Sequence, residues 1–299
     1  MTVNFLKSFC NNIRISFKKY LHHSFINRNM KLLFFCPRWG QELVPWDTFL
    51  KNVESAGYDG VEASLPLDEK EKEAILNSLQ KSGLQFIAQQ WETTNKDFDT
   101  HCKEYDLRLR NLASVKPLFI NTQTGKDYYS FEKNAELMAI ARAVSLETGV
   151  KIVHETHRGK FSFAAHIAQQ YFEKIDDLRI TLDISHWCNT AESFLHDQQE
   201  AVDLAISRTD HIHSRVGYPE GPQITDPRAP EWKEALDFHM QCWDQVVALK
   251  KSQNAALFTI TSEFGAPPYL PLLPYTMQPI VSQWDVNIFM MDLLRARYS

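Results

Sequence analysis

Residues 117–159 read PLFINTQTGKDYYSFEKNAELMAIARAVSLETGVKIVHETHRG. Two short apolar runs, PLFINTQTG (117–125) and KIVHETHRG (151–159), flank a stretch with apolar residues at helical spacing, EKNAELMAIARAVSLETG (132–149). The pattern predicts strand, helix, strand, with Gly149 ending the helix just before the second strand, the position where a left-handed residue closes a helix most easily. Strands joined through a helix, and not through a two-residue turn, run parallel.

Read outward in both directions, the unit repeats. Strands are predicted over 32–36, 58–65, 84–91, 117–125, 151–159, 178–187, 210–216 and 255–265. Helices fall between and after them, near 46–57, 68–83, 97–114, 132–149, 163–174, 191–207, 231–251 and 281–298. Gly57 and Gly83 close their helices as Gly149 does. Eight strand–helix units in a row predict an α/β chain folded as a closed (β/α)8 TIM barrel, a single domain. An open doubly wound sheet is the alternative, but it usually has fewer strands and often a glycine-rich phosphate turn after the first. CPRWGQELVPW, which follows the first strand here, has no G-x-G-x-x-G. No Pro/Gly/Ser-rich linker divides the chain, so residues 30–299 form the expected barrel.

Residues 1–29 contain Lys and Arg but no Asp or Glu. They read as a transit-like N-terminal extension or as a start assigned too early, with Met30 the true start; they are left out of the fold argument. The five cysteines are odd in number, scattered and without a C-x-x-C pair, which excludes a disulfide framework and a zinc–thiolate site and points to a reducing compartment. A cytoplasmic location is expected, or organellar import if residues 1–29 are genuine. A net charge of −5 without a dominant basic patch argues against nucleic acid as partner, and no apolar run is long enough to span a membrane.

Barrels of this kind gather their chemistry at the C-terminal ends of the strands. There the fifth to eighth strands present Glu155, Asp183, His213 and Glu263 in turn, and earlier strands offer Glu62, Gln89 and Asn121. Any one such carboxylate is most simply a solvated group or a helix cap. Three converging carboxylates, however, repel one another unless a cation lies between them. Three carboxylates and one imidazole, with no thiolate, suit one divalent ion: Mn2+ is favoured, with Mg2+, Co2+, Zn2+ or Fe2+ as alternatives. One period-two register serves these strands. With Asp183, His213 and Glu263 inward, Thr259 and Thr261 also face inward, while Ile180, Leu182, Ile212, Phe258 and Ile260 face the helices.

VHETHRG, TLDISHW, HIHSRVG and TSEFG, with GYDGVEAS on the second strand, resemble the motifs of the xylose isomerase-like TIM barrel superfamily, the sugar phosphate isomerase/epimerase group. The resemblance runs from about residue 31 to the end. It implies one divalent ion on Glu155, Asp183, His213 and Glu263, with Glu155 and Glu263 as the catalytic pair exchanging the substrate proton, and His186 on a substrate oxygen. Arg158, Arg215, Glu62, Asn121 and Trp39 complete the expected substrate-binding set. Two features depart from the epimerase pattern: Arg158 stands where those enzymes carry a second acid, and Arg215 lies only two residues past the strand-seven histidine. The two arginines either raise the positive charge at the mouth or pair with local acids such as Glu220 or Asp226.

The expected partner is a small carbohydrate. The expected activity is isomerisation or epimerisation of a keto-sugar or related polyol through a metal-stabilised enediolate. A dehydratase or lyase acting on a keto-sugar or keto-inositol is the alternative, and a non-catalytic sugar-binding barrel is the rival from another class. His211 is expected one layer below His213 as a structural group, and Arg215 one layer above it at the mouth. The long loop GYPEGPQITDPRAPEW is expected to cover the site or to contact another subunit of a homo-oligomer. Trp39, Trp91, Trp187 and Tyr218 are candidate faces for stacking a sugar.

Overall fold

The computed structural model describes residues 30–299; the N-terminal extension lies outside the described residues. Eight parallel strands close a barrel in sequential order: β1 (Lys31–Pro37), β2 (Gly60–Ala63), β3 (Gln85–Gln90), β4 (Ile120–Thr122), β5 (Ile152–Glu155), β6 (Ile180–Leu182), β7 (Thr209–His213) and β8 (Leu257–Thr261). The ring is sealed by β1 against β8, paired in register from Lys31↔Leu257 to Phe35↔Thr261. Helices α1 (Trp46–Ser55), α2 (Glu69–Ser82), α3 (Phe98–Ser114), α4 (Phe131–Thr148), α5 (Ala165–Lys174), α6 (Ser185–Ala191), α7 (Gln199–Arg208), α8 (Lys233–Ser252) and α9 (Gln283–Tyr298) surround it.

Local chemistry fixes the helix ends. Asp68, Asp97, Ser130 and Ser282 each accept a hydrogen bond from a backbone N–H in the first turn of α2, α3, α4 and α9, satisfying donors that would otherwise lack partners. Gly83 and Gly149 close α2 and α4 with φ of 70° and 71°.

Period-two alternation divides each strand between two environments. Phe34, Val61, Ile180, Leu182, Ile212, Phe258 and Ile260 point outward into the large apolar layer shared with the helices. Leu33, Phe35, Ile87, Phe119 and Val153 form a separate cluster that fills the barrel interior. Above it the interior turns polar, with Thr259, Thr261, His211, Glu62 and Asn121 all buried. The register argued from sequence for β6, β7 and β8 is the one observed.

The sixth unit differs from the sequence reading. Residues 178–187 were expected as strand, but β6 stops at Leu182 and Ser185 opens α6, so His186 and Trp187 are helical. The backbone N–H and hydroxyl of Ser185 both donate to Asp183 Oδ1, at 3.1 and 2.5 Å, which turns the chain immediately after the strand. A buried run such as ISHWC carries no periodicity that separates strand from helix. β1 runs one residue further at each end than expected, whereas the remaining strands are shorter, their flanks, including Gln123–Gly125 and His157–Gly159, belonging to loops.

Candidate active site

The four residues expected as ligands come together. Glu155 ends β5, Asp183 follows β6, His213 ends β7 and Glu263 lies two residues beyond β8. One donor atom from each falls within 4.8 Å of the others, and all four side chains are buried. His213 Nδ1 stands 2.6 Å from Glu263 Oε2 and 3.8 Å from Glu155 Oε1, yet among the described residues it has no aligned hydrogen-bond partner. Its other nitrogen, Nε2, lies 3.1 Å from both oxygens of Glu62. An imidazole anchored through one nitrogen, with the other aimed among carboxylates, is the arrangement of a metal-binding histidine. The donor set therefore fits a divalent cation, with Glu155, Asp183, His213 and Glu263 as the residues that would hold it.

Neighbours orient these carboxylates. Gln89 Nε2 donates to Glu263 Oε1 at 3.1 Å. Gln123 and Asn121 donate to Glu155 at 3.2 and 3.0 Å. The charge states diverge accordingly. Burial pushes the Glu155 carboxyl up to about 8; His213 opposes the rise, and Glu263 and Asp183 add to it. Burial also raises Asp183, against the pull of Arg215. For Glu263 burial is outweighed by His213 and Arg215, so its carboxyl is held down. Burial disfavours charge on His213, but Glu263, Glu62 and Glu155 together hold its imidazolium well above the ordinary histidine range.

A cavity of about 440 Å3 opens above the cluster, walled by Trp39, Gln89, Trp91, Gln123, Glu155, His157, Arg215, Glu263 and Tyr269. Its volume is in the range of small-molecule sites. Of the expected substrate-binding set, Trp39 and Arg215 reach the wall. Glu62, Asn121, His186 and Arg158 are not among its lining residues, and the reasons are specific. Glu62 and Asn121 sit one layer down, bonded to each other at 2.9 Å. His186, fully buried, lies behind Arg215, whose Nη2 is 2.6 Å from its Nε2. Arg158 packs over the ring of Tyr269 at 4.9 Å and donates to Asn189 at 3.3 Å.

Arg215 also departs from its expected place at the mouth. It is 1% exposed, folds inward, and pairs with Asp183 through Nη2, with Glu263 Oε2 3.8 Å away. Neither Arg158 nor Arg215 pairs with Glu220 or Asp226; Asp226 is bound by Arg228. His211 does occupy the layer beneath His213, with Nδ1 3.0 Å from the Thr259 carbonyl oxygen. The long loop after β7 does not cover the cavity. Gln223 clamps it beside β8 through the backbone of Gly265, at 2.7 and 3.3 Å. Tyr218 packs against Trp232, and Trp187 is buried with its indole N–H on the Ser162 carbonyl at 2.7 Å, so neither offers a stacking face. Tyr269, Gln123 and His157 line the cavity without having been singled out from the sequence. They lie in loops, where no periodicity marks which way a side chain turns.

No protein-family model matches the chain, and no curated protein matches it. Solved structures do. A xylose isomerase domain containing protein from Salmonella typhimurium superposes with a TM-score of 0.59 at 12% identity, over 91% of this chain and 97% of that one. A 3-keto-D-glucoside 4-epimerase from E. coli gives 0.58 at 14% identity, over 89% and 99%. A probable 3-DHS dehydratase from Bacillus anthracis gives 0.57 at 15%, over 89% and 99%. Among the described residues no helix is long and apolar enough to cross a membrane. In fold, the chain is a single-domain (β/α)8 TIM barrel, similar to these structures.

Proposed function

We propose that the protein is a divalent-metal-dependent isomerase or epimerase acting on a keto-sugar or related polyol through an enediolate. The observation that carries this reading is the placement of Glu155 and Glu263. They come from β5 and β8, they flank the free Nδ1 of His213, and both face the same cavity. The likeness to a keto-glucoside epimerase and a dehydratase supports the choice of substrate class at the level of fold.

Glu155, Asp183, His213 and Glu263 would hold a divalent ion, which when bound would supply Lewis-acid polarisation of a substrate carbonyl. The chain's own residues supply the rest. A carboxylate within hydrogen-bond reach of the carbon beside that carbonyl takes its proton, and a second carboxyl group on another side of the cavity returns one. Glu155 and Glu263, on different strands and both on the cavity wall, are the two carboxyl groups placed to take and return that proton. Gln89 and Gln123 keep the two carboxyl groups turned toward the cavity. Trp39 and Tyr269, edge to face at 5.0 Å, offer the apolar wall against which a sugar ring rests.

The test combines metal content of the purified protein by mass spectrometry with a screen of keto-sugars for deuterium uptake from D2O. About one ion per chain, weakened in His213→Ala, and deuterium exchange abolished in Glu155→Gln are expected. Product analysis separates epimer, isomer and dehydration product. A wild-type protein that takes up no Mn2+, Co2+ or Zn2+ refutes the reading and brings forward a non-catalytic binding barrel.

A further inference from the structure

Glu62 is a carboxylate in the middle of the barrel that the cavity never reaches. It is 1% exposed, and a bare carboxylate so placed is costly unless its oxygens are satisfied. They are. Oε1 accepts from Asn121 Nδ2 at 2.9 Å, Oε2 accepts from the Thr261 hydroxyl at 2.5 Å, and His213 Nε2 lies 3.1 Å from each. An ionised carboxylate has no proton to donate, so the hydrogen between Glu62 and His213 belongs to Nε2. That choice determines the opposite side of the ring. Nδ1 is the nitrogen left to face Glu263 and Glu155. The same NH2 of Asn121 that binds Glu62 also lies 3.0 Å from Glu155 Oε2, so one amide couples the lower carboxylate to the upper one.

We propose that Glu62 is a positioning residue: it holds the Nε2 proton of His213 and fixes the ring's angle, so that Nδ1, on losing its own proton, is the nitrogen presented to the ion site, and through Asn121 it holds Glu155 in the same unit. Glu62 lies outside the cavity wall and outside the cluster of Glu155, Asp183, His213 and Glu263. It acts through His213, as an outer carboxylate does for a metal-bound imidazole. The consequence for ion binding rests on the function proposed above; the placement of the proton does not.

The experiment uses full-length protein with 15N-labelled histidine, wild type and Glu62→Gln, which conserves shape. In metal-free wild type, long-range 1H–15N correlation is expected to show His213 Nε2 protonated, with a downfield, slowly exchanging proton that shifts upfield in Glu62→Gln. Titration with Zn2+ against a chromogenic chelator is expected to show about 10- to 100-fold weaker binding in Glu62→Gln, at a melting temperature that confirms the fold. A wild-type spectrum with Nε2 unprotonated overturns the proposal. So does a Glu62→Gln variant that binds Zn2+ as tightly as wild type. If wild type takes up no Mn2+, Co2+ or Zn2+, the proposed function falls, and the metal-free spectrum still decides the placement of the His213 proton.

Discussion

Gly265 shows how tightly the cavity wall is set. A Cβ added there would fall 2.1, 2.4 and 2.7 Å from three atoms of the Trp39 six-membered ring. The backbone is held on both sides. Gln223 clamps the Gly265 backbone from both its N–H and its carbonyl, and Gln283 holds the Trp39 carbonyl at 3.0 Å. In Gly265→Ala the indole must therefore retreat by more than an ångström to reach ordinary contact, which begins at 3.4 Å. Its retreat carries Tyr269, packed against it at 5.0 Å, and disturbs Arg215, whose guanidinium lies 5.7 Å from its ring. Overpacking of this kind costs about 1–3 kcal/mol, or roughly 2–5 °C in melting temperature for a chain of this size. An ångström of displacement in a substrate-positioning wall costs on the order of 100-fold in kcat/KM. The assay is calorimetric melting together with kcat/KM on whichever sugar exchanges deuterium. Gly83→Ala serves as the control: it meets no atom within 4 Å and bears only backbone strain at φ +70°. Trp39→Ala is expected to suppress the added cost of Gly265→Ala, since the clashing ring is gone. A Gly265→Ala protein with unchanged melting temperature and unchanged kcat/KM refutes the argument.

At the opposite end of the barrel, Asp210 gathers Arg179, Lys151 and Lys250 at 2.6–2.7 Å. Asp210→Asn is expected to cost about 3 kcal/mol, most of it from leaving the buried Lys250 without its partner and little from the half-exposed Lys151; chemical denaturation measures it. Although burial opposes it, the three cations hold the Asp210 carboxyl well below its ordinary value. The stability it contributes is present above the unfolded carboxylate pKa of about 4 and lost as pH falls below that. The variant should therefore show a shallower acid-side decline, and a parallel decline counts against the assignment. Arg215→Met removes the counter-charge of the buried Asp183 and is expected to destabilise the metal-free protein by about 3–5 kcal/mol. Added Mn2+ should restore part of that loss, read as a larger melting shift than in wild type. Trp187→Phe leaves the Ser162 carbonyl without its indole donor and is expected to cost about 1–3 kcal/mol; equal denaturation midpoints would contradict it.

The alternation of strands and helices, and with it the barrel, was legible because each strand has two faces with different neighbours. The same alternation revealed that Asp183, His213 and Glu263 share the inner face with Thr259 and Thr261. What escaped the sequence depends on partners distant in the chain. Arg215 reads as a mouth residue until its pairing with Asp183, across the gap between β6 and β7, turns it inward. Glu62 and Asn121 look like substrate contacts because they stand at strand ends, but strand ends in a tilted barrel lie at different depths. His186 was assigned from a resemblance, and the turn made by Ser185 places it behind the arginine. The loops that contribute Gln123, His157 and Tyr269 carry no repeating pattern at all.

The β1–β8 seam has a consequence for synthesis. Lys31–Phe35 pairs with Leu257–Thr261, so the first strand's outer edge waits for a partner some two hundred residues behind it. At ribosomal speeds of roughly 5–20 residues per second, that edge stays open for about 10–50 s after it is made. During that time the nascent chain presents LLFFC as an unpaired apolar strand, an invitation to mispair with a neighbour on the same polysome. Yield in a recombinant host should therefore depend on chaperone supply and on slow induction more than on the stability of the finished barrel.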